Sequence, residues 1–369
     1  MTEHGHDITN AEAVASPTLL IYLERVERNV RRAIEIVGDA QRLRPHVKTH
    51  KLAEIVRLHL ASGVTKFKCA TIAEAEMTAA AGARDVFLGY QPVGPNVPRV
   101  IALVRRFPQT RFSVVADDTA AIDALGNAVA AAGLTLDVFL DIDCGQHRTG
   151  VPVGDEAAAL YRRVAGTGGL KAAGLHAYDG HIHDSDVETR RRRANEAFAP
   201  VAALKKQLEN DGFMVPTVVA GGTPTFPMHA RRGGVECSPG TYVFWDFGYA
   251  ESMPDLPFEV AATLLTRVVS KPSATRLCLD LGHKAVASES AHPRVKFPSL
   301  PDATAVMHSE EHLVIETPRA REFRVGDVLY GVPRHICPTV ALYGEVVIVR
   351  QGRAEERWKV VARDRMLTI

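Results

Sequence analysis

Arg44, His46, Lys48 and His50 occupy alternate positions in the run Arg44-Pro45-His46-Val47-Lys48-Thr49-His50-Lys51. In an extended strand side chains alternate between faces, so these four share one face, with Leu43, Pro45, Val47 and Thr49 on the other. A lysine ringed by cations is pushed toward its neutral, nucleophilic form, which a Schiff-base lysine needs. The alternative is a solvated basic run, and the apolar partner face argues against it.

Three further stretches carry binding chemistry. Asp141-Ile142-Asp143-Cys144-Gly145-Gln146-His147-Arg148-Thr149-Gly150 combines carboxylates, an arginine and glycines. It reads either as a binding loop or as a turn in which Arg148 only pairs with Asp143. In Ala177-Tyr178-Asp179-Gly180-His181-Ile182-His183-Asp184 the histidines invite a metal reading, but Tyr178 lies nearest a strand end and is the preferred functional residue. Ala220-Gly221-Gly222-Thr223-Pro224-Thr225 and Ser238-Pro239-Gly240-Thr241-Tyr242 offer glycines, amides and hydroxyls, and together describe a phosphate cup.

His335-Ile336-Cys337-Pro338-Thr339 places an imidazole and a thiol two residues apart. In a strand both project the same way and can share one metal, with nitrogen and soft sulfur favouring zinc. Two ligands leave positions for water or substrate, a catalytic rather than a structural arrangement. A buried cysteine beside an incidental histidine is the competing reading.

These residues need a scaffold. Strand patterns at 42–46, 66–70, 85–90, 111–116, 135–141, 170–176, 216–220 and 234–238 alternate with helical segments such as 119–132, opened by Asp117 and Asp118 and closed by Gly133, and 190–210. Eight strand–helix units predict a (β/α)₈ TIM-type barrel over residues 25–250, whose upper mouth would carry the chemistry. The barrel loops after strands seven and eight commonly hold phosphate, which is where the two glycine loops fall. After residue 254 the pattern turns β-rich, with strands expected at 258–270, 276–280, 312–316, 327–330, 340–350 and 357–362. Residues 251–369, with 1–24, therefore read as a C-terminal all-β domain, and residues 18–22 are expected to pair with it.

Composition sets the outer limits. Of 369 residues 46% are hydrophobic and 24% charged, with 44 basic against 43 acidic residues and a net charge of +1. No global field recruits nucleic acid or a membrane surface, and no apolar span is long enough to cross a bilayer. Five scattered cysteines suit a reducing cytoplasm. Residues 1–10 are polar and read as a loose tail without a signal-peptide core.

Six segments in order, R-P-H-x-K-T-H-K, D-x-G-x-x-R-x-G, Y-D-G-H, G-G-T-P-T, S-P-G-T-Y and H-x-C-P-T, resemble the D-threonine aldolase and D-serine dehydratase family of fold-type III pyridoxal-phosphate enzymes, with an alanine racemase-like barrel. The resemblance implies that Lys48 is the Schiff-base lysine, that Arg148 contacts the cofactor's phenolic oxygen and that Tyr178 lines its ring. Thr223, Gly240 and Thr241 would hold the phosphate. His335 and Cys337 would hold a divalent metal (zinc, manganese or magnesium) that grips the substrate's β-hydroxyl, making His335 catalytic beside Lys48. It further implies retro-aldol cleavage of D-threonine to glycine and acetaldehyde in a head-to-tail homodimer. Dehydration of D-serine or D-3-hydroxyaspartate is the alternative, since Cys337 stands where many aldolases of the family carry aspartate. A racemase would need a second acid/base and no metal.

Overall fold

The computed structural model describes residues 5–369. It forms two compact units: a barrel unit of Ala33–Lys48, Ala53–Gly240 and Asp364–Ile369, and a β unit of the N-terminal segment through Arg32, Thr49–Leu52 and Thr241–Arg363.

In the barrel unit the strands Lys66–Cys69, Asp85–Leu88, Arg111–Ala116, Leu136–Asp143, Leu170–Ala177, Thr217–Ala220 and Val235–Cys237 pair in parallel, in that order. Their runs of buried Val, Phe and Leu suit strands covered on both faces. Residues 43–46 close the ring as its first strand. Leu43 bridges Cys237 and His46 bridges Lys68, both in parallel. Arg44 N donates to Cys237 O at 2.8 Å, and Lys68 N donates to Pro45 O at 2.9 Å. Phe87, Val115, Phe139, Ala173 and Val219 cluster as core, with the Phe87 and Phe139 rings 4.8 Å apart. Helices follow where capping residues predict them: Asp118 accepts from Ala121 N ahead of Thr119–Ala131, and Gly133 follows with φ +69°.

One position explains how the sheet bends. Gly174 has φ +138°, and a Cβ there would lie 1.8 Å from Thr217 O on the next strand. The register against Leu136–Asp143 slips at this point, between Val138 and Phe139. This is a β-bulge, which increases local twist.

Arg44 does not reach toward the strand's far end. It is buried, donating to Asp85 Oδ1 at 2.5 Å and Glu236 Oε2 at 2.6 Å, while Lys66 Nζ holds Glu236 Oε1 at 2.5 Å.

The β unit is built around Ala262–Ser273. This strand pairs with Arg276–Leu279, with Val328–Pro333 and, as expected, with Thr18–Tyr22, which also runs parallel to Glu345–Arg350. Two strands escape the sequence reading: Thr304–His308, largely exposed and without alternation, and the two-residue Val295–Lys296. The first part of the expected strand at 340–350 lies in the helix Ile336–Ala341, so the strand begins only at Glu345.

The loose-tail expectation for residues 1–10 is corrected from residue 5 onward; residues 1–4 lie outside the described residues. Ile8 is buried with Val14, Leu20, Tyr22, Leu265 and Tyr330, and Thr9 N donates to Gly352 O at 2.8 Å. A single apolar anchor ties down a segment that is polar on average. Among the described residues, no helix is long and apolar enough to cross a membrane.

Candidate active site

A cavity of about 600 Å³ opens at the C-terminal ends of the barrel strands, lined among others by His46, Lys48, Lys68, Asp141, Arg148, His176 and Tyr178. Lys48 reaches it by a route other than the one predicted. Extended backbone ends at His46 and Val47–Thr49 forms a 3₁₀ turn. That turn rotates successive side chains by about 120° rather than the 180° of a strand, so Arg44, His46, Lys48 and His50 do not share a face. His46 and Lys48 line the cavity. Arg44 is in the ion-paired interior, and His50 is buried in the β unit, where its Nδ1 accepts from Leu52 N at 3.1 Å.

Tyr178 is the common neighbour of three cations. Its ring centroid lies 6.0 Å from Lys48 Nζ, 5.3 Å from Lys68 Nζ and 5.1 Å from the Arg148 guanidinium carbon. Arg148 therefore belongs to the cavity. Asp143 accepts instead from Gly145 N, His147 N and His147 Nδ1 at 2.8–3.0 Å, and is a turn-forming residue. Gly150 is required where this loop folds back: φ is +92°, and a Cβ would stand 2.6 Å from Asp143 N. His181, His183 and Asp184 form no ligand set. Among the described residues no group of three or more histidine, cysteine or acidic side chains is arranged to hold a metal, and Asp184 pairs with Arg193 at 2.7 Å.

The two glycine loops meet within the barrel unit. Gly240 N donates to Thr223 Oγ1 at 3.1 Å, and Thr223 is buried. A Cβ at Gly222 would lie 3.1 Å from Tyr178 Cε2, so the loop stands directly against that ring. Ser238 Oγ is buried with no hydrogen-bond partner among the described residues. Asp179 braces the loop, accepting from Gly222 N at 3.3 Å, Thr225 Oγ1 at 2.7 Å and His229 Nε2 at 2.8 Å. Burial alone would raise its carboxyl, but His229 and the Thr225 hydroxyl outweigh that and hold it below the ordinary range.

In the β unit, Thr241 Oγ1 is 3.6 Å and Thr49 Oγ1 3.2 Å from Cys337 Sγ. His335 and Cys337 are not in a strand. His335 is the N-cap of Ile336–Ala341, with extended dihedrals (φ −133°, ψ 104°), and Cys337 is in the first turn. The i, i+2 strand argument fails, yet the cap brings the two side chains into hydrogen-bond contact. Burial pulls the His335 imidazolium down, but Cys337, Glu289 and Asp246 outweigh it and hold its pKa up at about 9. Glu289 Oε1 takes Nδ1 at 2.6 Å. A carboxylate on one imidazole nitrogen is the arrangement in which the other could take a metal. Asp246 Oδ2 accepts from Ile336 N at 3.0 Å, and burial raises its carboxyl to about 6.

Sequence reasoning missed a relay across the cavity. Lys68 Nζ lies 2.6 Å from His176 Nε2, and His176 Nδ1 lies 2.6 Å from Asp141 Oδ1. Burial first, then the charges of Lys48, Arg148 and Arg44 against Asp141, lower the Lys68 pKa to about 7. A signal was present: Lys68 sits between Phe67 and Cys69 in a short strand pattern, and His176 precedes Tyr178 by two residues at the end of another.

Comparison with known proteins agrees with this geometry. Residues 21–246 match the family model described as alanine racemase, N-terminal domain, and residues 261–349 the one described as putative serine dehydratase domain. The chain is 32% identical to a D-threonine aldolase of Arthrobacter sp over 95% of its length and 93% of the relative's. It is 29% identical to a 3-hydroxy-D-aspartate aldolase of Paracoccus denitrificans, over 98% and 96%. The crystal structure of D-threonine aldolase from Filomicrobium marinum superposes with a TM-score of 0.90 at 32% identity, covering 97% of this chain and 98% of that one.

Proposed function

This chain belongs to the D-threonine aldolase and D-serine dehydratase family of fold-type III pyridoxal-phosphate enzymes and is a lyase; on that premise we propose that it cleaves D-β-hydroxy-α-amino acids by retro-aldol reaction, D-threonine giving glycine and acetaldehyde. The observation that carries this reading is the convergence of Lys48, Arg148 and Tyr178 on one cavity at the barrel mouth.

The residues fit the cofactor. The orphaned Ser238 hydroxyl and the Cβ-free approach at Gly222 suit a small anionic group such as the phosphate, beside the touching Thr223 and Gly240. Bound there, pyridoxal phosphate supplies an electron sink for charge developing at the substrate's Cα. Lys48 would hold it covalently and Arg148 would balance charge on the ring oxygen. Tyr178 would pack against the ring, and Thr223, Gly240 and Thr241 would hold the phosphate. His335 and Cys337 would hold a divalent metal (zinc, manganese or magnesium) as an open two-ligand site, which supplies Lewis acidity toward a β-hydroxyl. We further propose a homodimer in which the partner covers the mouth. Tyr90 and Val93, exposed at 59% and 50% on the cavity rim, support that cover. Active enzyme sedimenting as a monomer would refute it.

Dehydration is the second reading, favoured by Cys337 and by the serine dehydratase match. D-Threonine distinguishes them: acetaldehyde with glycine supports cleavage, 2-oxobutanoate with ammonia supports dehydration. D-Threonine and D-allo-threonine are expected to react and the L-isomers to remain, because one-sided construction would fix Cα while rotation about Cα–Cβ would let a metal held by His335 and Cys337 polarise the hydroxyl of either epimer. Turnover of L-threonine at the D-threonine rate contradicts the assignment.

A further inference from the structure

Arg44 and Lys68 are both buried cations of the barrel strands, but their partners differ in kind. Arg44 binds Asp85 and Glu236, and Lys66 binds Glu236. Lys68 is buried to 4% exposure, but its close partner is an imidazole, and Asp141 stands behind that ring. The arrangement fixes the donors. Asp141 as a carboxylate accepts from His176 Nδ1–H, so Nε2 of the neutral ring accepts and Lys68 donates to it. Burial and the Lys68 charge hold the His176 imidazolium below its ordinary range, consistent with a neutral ring. Asp141 is held below the ordinary carboxylate range because His176, Thr149 and Lys68 outweigh its burial. The relay orients the Lys68 nitrogen, which with a pKa of about 7 carries its proton as ammonium from neutrality downward, with no carboxylate in direct contact.

That ammonium shares the Tyr178 ring with Lys48 and Arg148. Lys48 is the foremost charge opposing the Lys68 proton. Coulomb repulsion is mutual, so a charge on Lys68 acts equally on the Lys48 nitrogen. We propose that Lys68, oriented by the Asp141–His176 pair, is a positioning residue that disfavours protonation of the Lys48 nitrogen once that nitrogen carries the cofactor. The inference rests on the reading of Lys48 as the pyridoxal-phosphate lysine. The groups facing Lys68 are Lys48, Arg44 and Arg148 as cations, Asp141 as the anion, and the His176 and Tyr178 rings. The cations outnumber the anion, which is why the Lys68 pKa falls to about 7, and a proton on the Lys48 nitrogen would add a further like charge beside the same ring.

The test is the pH titration of the visible absorption band in protein loaded with pyridoxal phosphate. Wild type and Lys48→Ala are measured first: a missing band in wild type, or one retained in Lys48→Ala, refutes the reading of Lys48 and leaves Lys68 out of account. With that reading standing, Lys68→Met and Lys68→Gln should each raise the midpoint of the band's titration by about one to three pH units, the range for loss of a nearby like charge. Lys68→Arg, charged throughout where Lys68 itself titrates near 7, should hold the midpoint at or below the wild-type value. Neutral variants that titrate as wild type overturn the proposal, as does Lys68→Arg shifting as far as Lys68→Met. Failure of both neutral variants to fold while Lys68→Arg folds overturns it too, by making the charge structural.

Discussion

Replacing Arg44 by methionine keeps most of the side-chain volume and removes the guanidinium donors from a buried ion cluster. Arg44 is 3% exposed, and its partners Asp85 and Glu236 are 15% and 8% exposed. In Arg44→Met, Glu236 retains Lys66 at 2.5 Å, but Asp85 is left with Arg111 at 3.8 Å, a side chain 55% exposed. Removing one partner of a buried pair costs about 3–5 kcal/mol, chiefly as the penalty of the stranded charge. With Lys66 still on Glu236, the lower end applies, about 3 kcal/mol. With a urea slope of about 3 kcal/mol/M, the midpoint falls by about 1 M. The probe matters, since both tryptophans, Trp245 and Trp358, lie in the β unit. Helical circular dichroism, carried mainly by the barrel unit, is the appropriate signal. Neutralising the stranded acid in the double variant Arg44→Met, Asp85→Asn should recover most of the loss. A midpoint unchanged in Arg44→Met, or a double variant no better than the single one, refutes the charge argument.

His59 is buried, with Nδ1 2.8 Å from Ile55 O, and burial outweighs that bond to hold its pKa down at about 4. The unfolded chain takes the proton near the ordinary value of 6.5, so stability is full above that pH and falls from there toward 4. The loss is about 2 kcal/mol between pH 7 and pH 5, and His59→Leu should flatten that slope in urea titrations at the two pH values. Gly174→Ala should destabilise the barrel by about 3 kcal/mol or more, from a strained φ and a clash with Thr217 O, read by thermal unfolding. Chelation should abolish lyase turnover and leave the visible cofactor band in place; full activity in rigorously metal-free protein contradicts the role given to His335 and Cys337.

The barrel strands were legible because parallel strands covered on both faces read as short apolar runs punctuated by turn residues. Asp118 and Gly133 likewise marked a helix that runs Thr119–Ala131. Local geometry was less legible. Nothing in the alternation of residues 44–50 announces a 3₁₀ turn at Val47–Thr49, and Ile336-Cys337-Pro338-Thr339-Val340 has the composition of a strand but forms a six-residue helix. His335 and Cys337 were recognised by chemistry, with their backbone conformation misread. Lys68 and Asp179 were missed because a lone charge in a pattern is read as solvated until a partner is known. Those partners, His176 and His229, lie 108 and 50 residues away.

The first barrel strand is also the thinnest member of the ring, joined to each neighbour by a single isolated bridge. A closed barrel is only as stiff as its weakest seam, and this one lies where the chain runs on from His46 to Lys48. The eighth strand, on the other side of that seam, runs on to Ser238 and Gly240. A cofactor bonded to Lys48 at one end and gripped beside Gly240 at the other would therefore act as a clasp, stitching the first strand to the eighth. Binding energy spent there is hoop strength for the whole barrel. The loaded protein should exchange the amide protons of residues 43–46 and Val235–Cys237 far more slowly than the empty one, because the bond proposed at Lys48 would also fasten the edge along which the barrel would otherwise open.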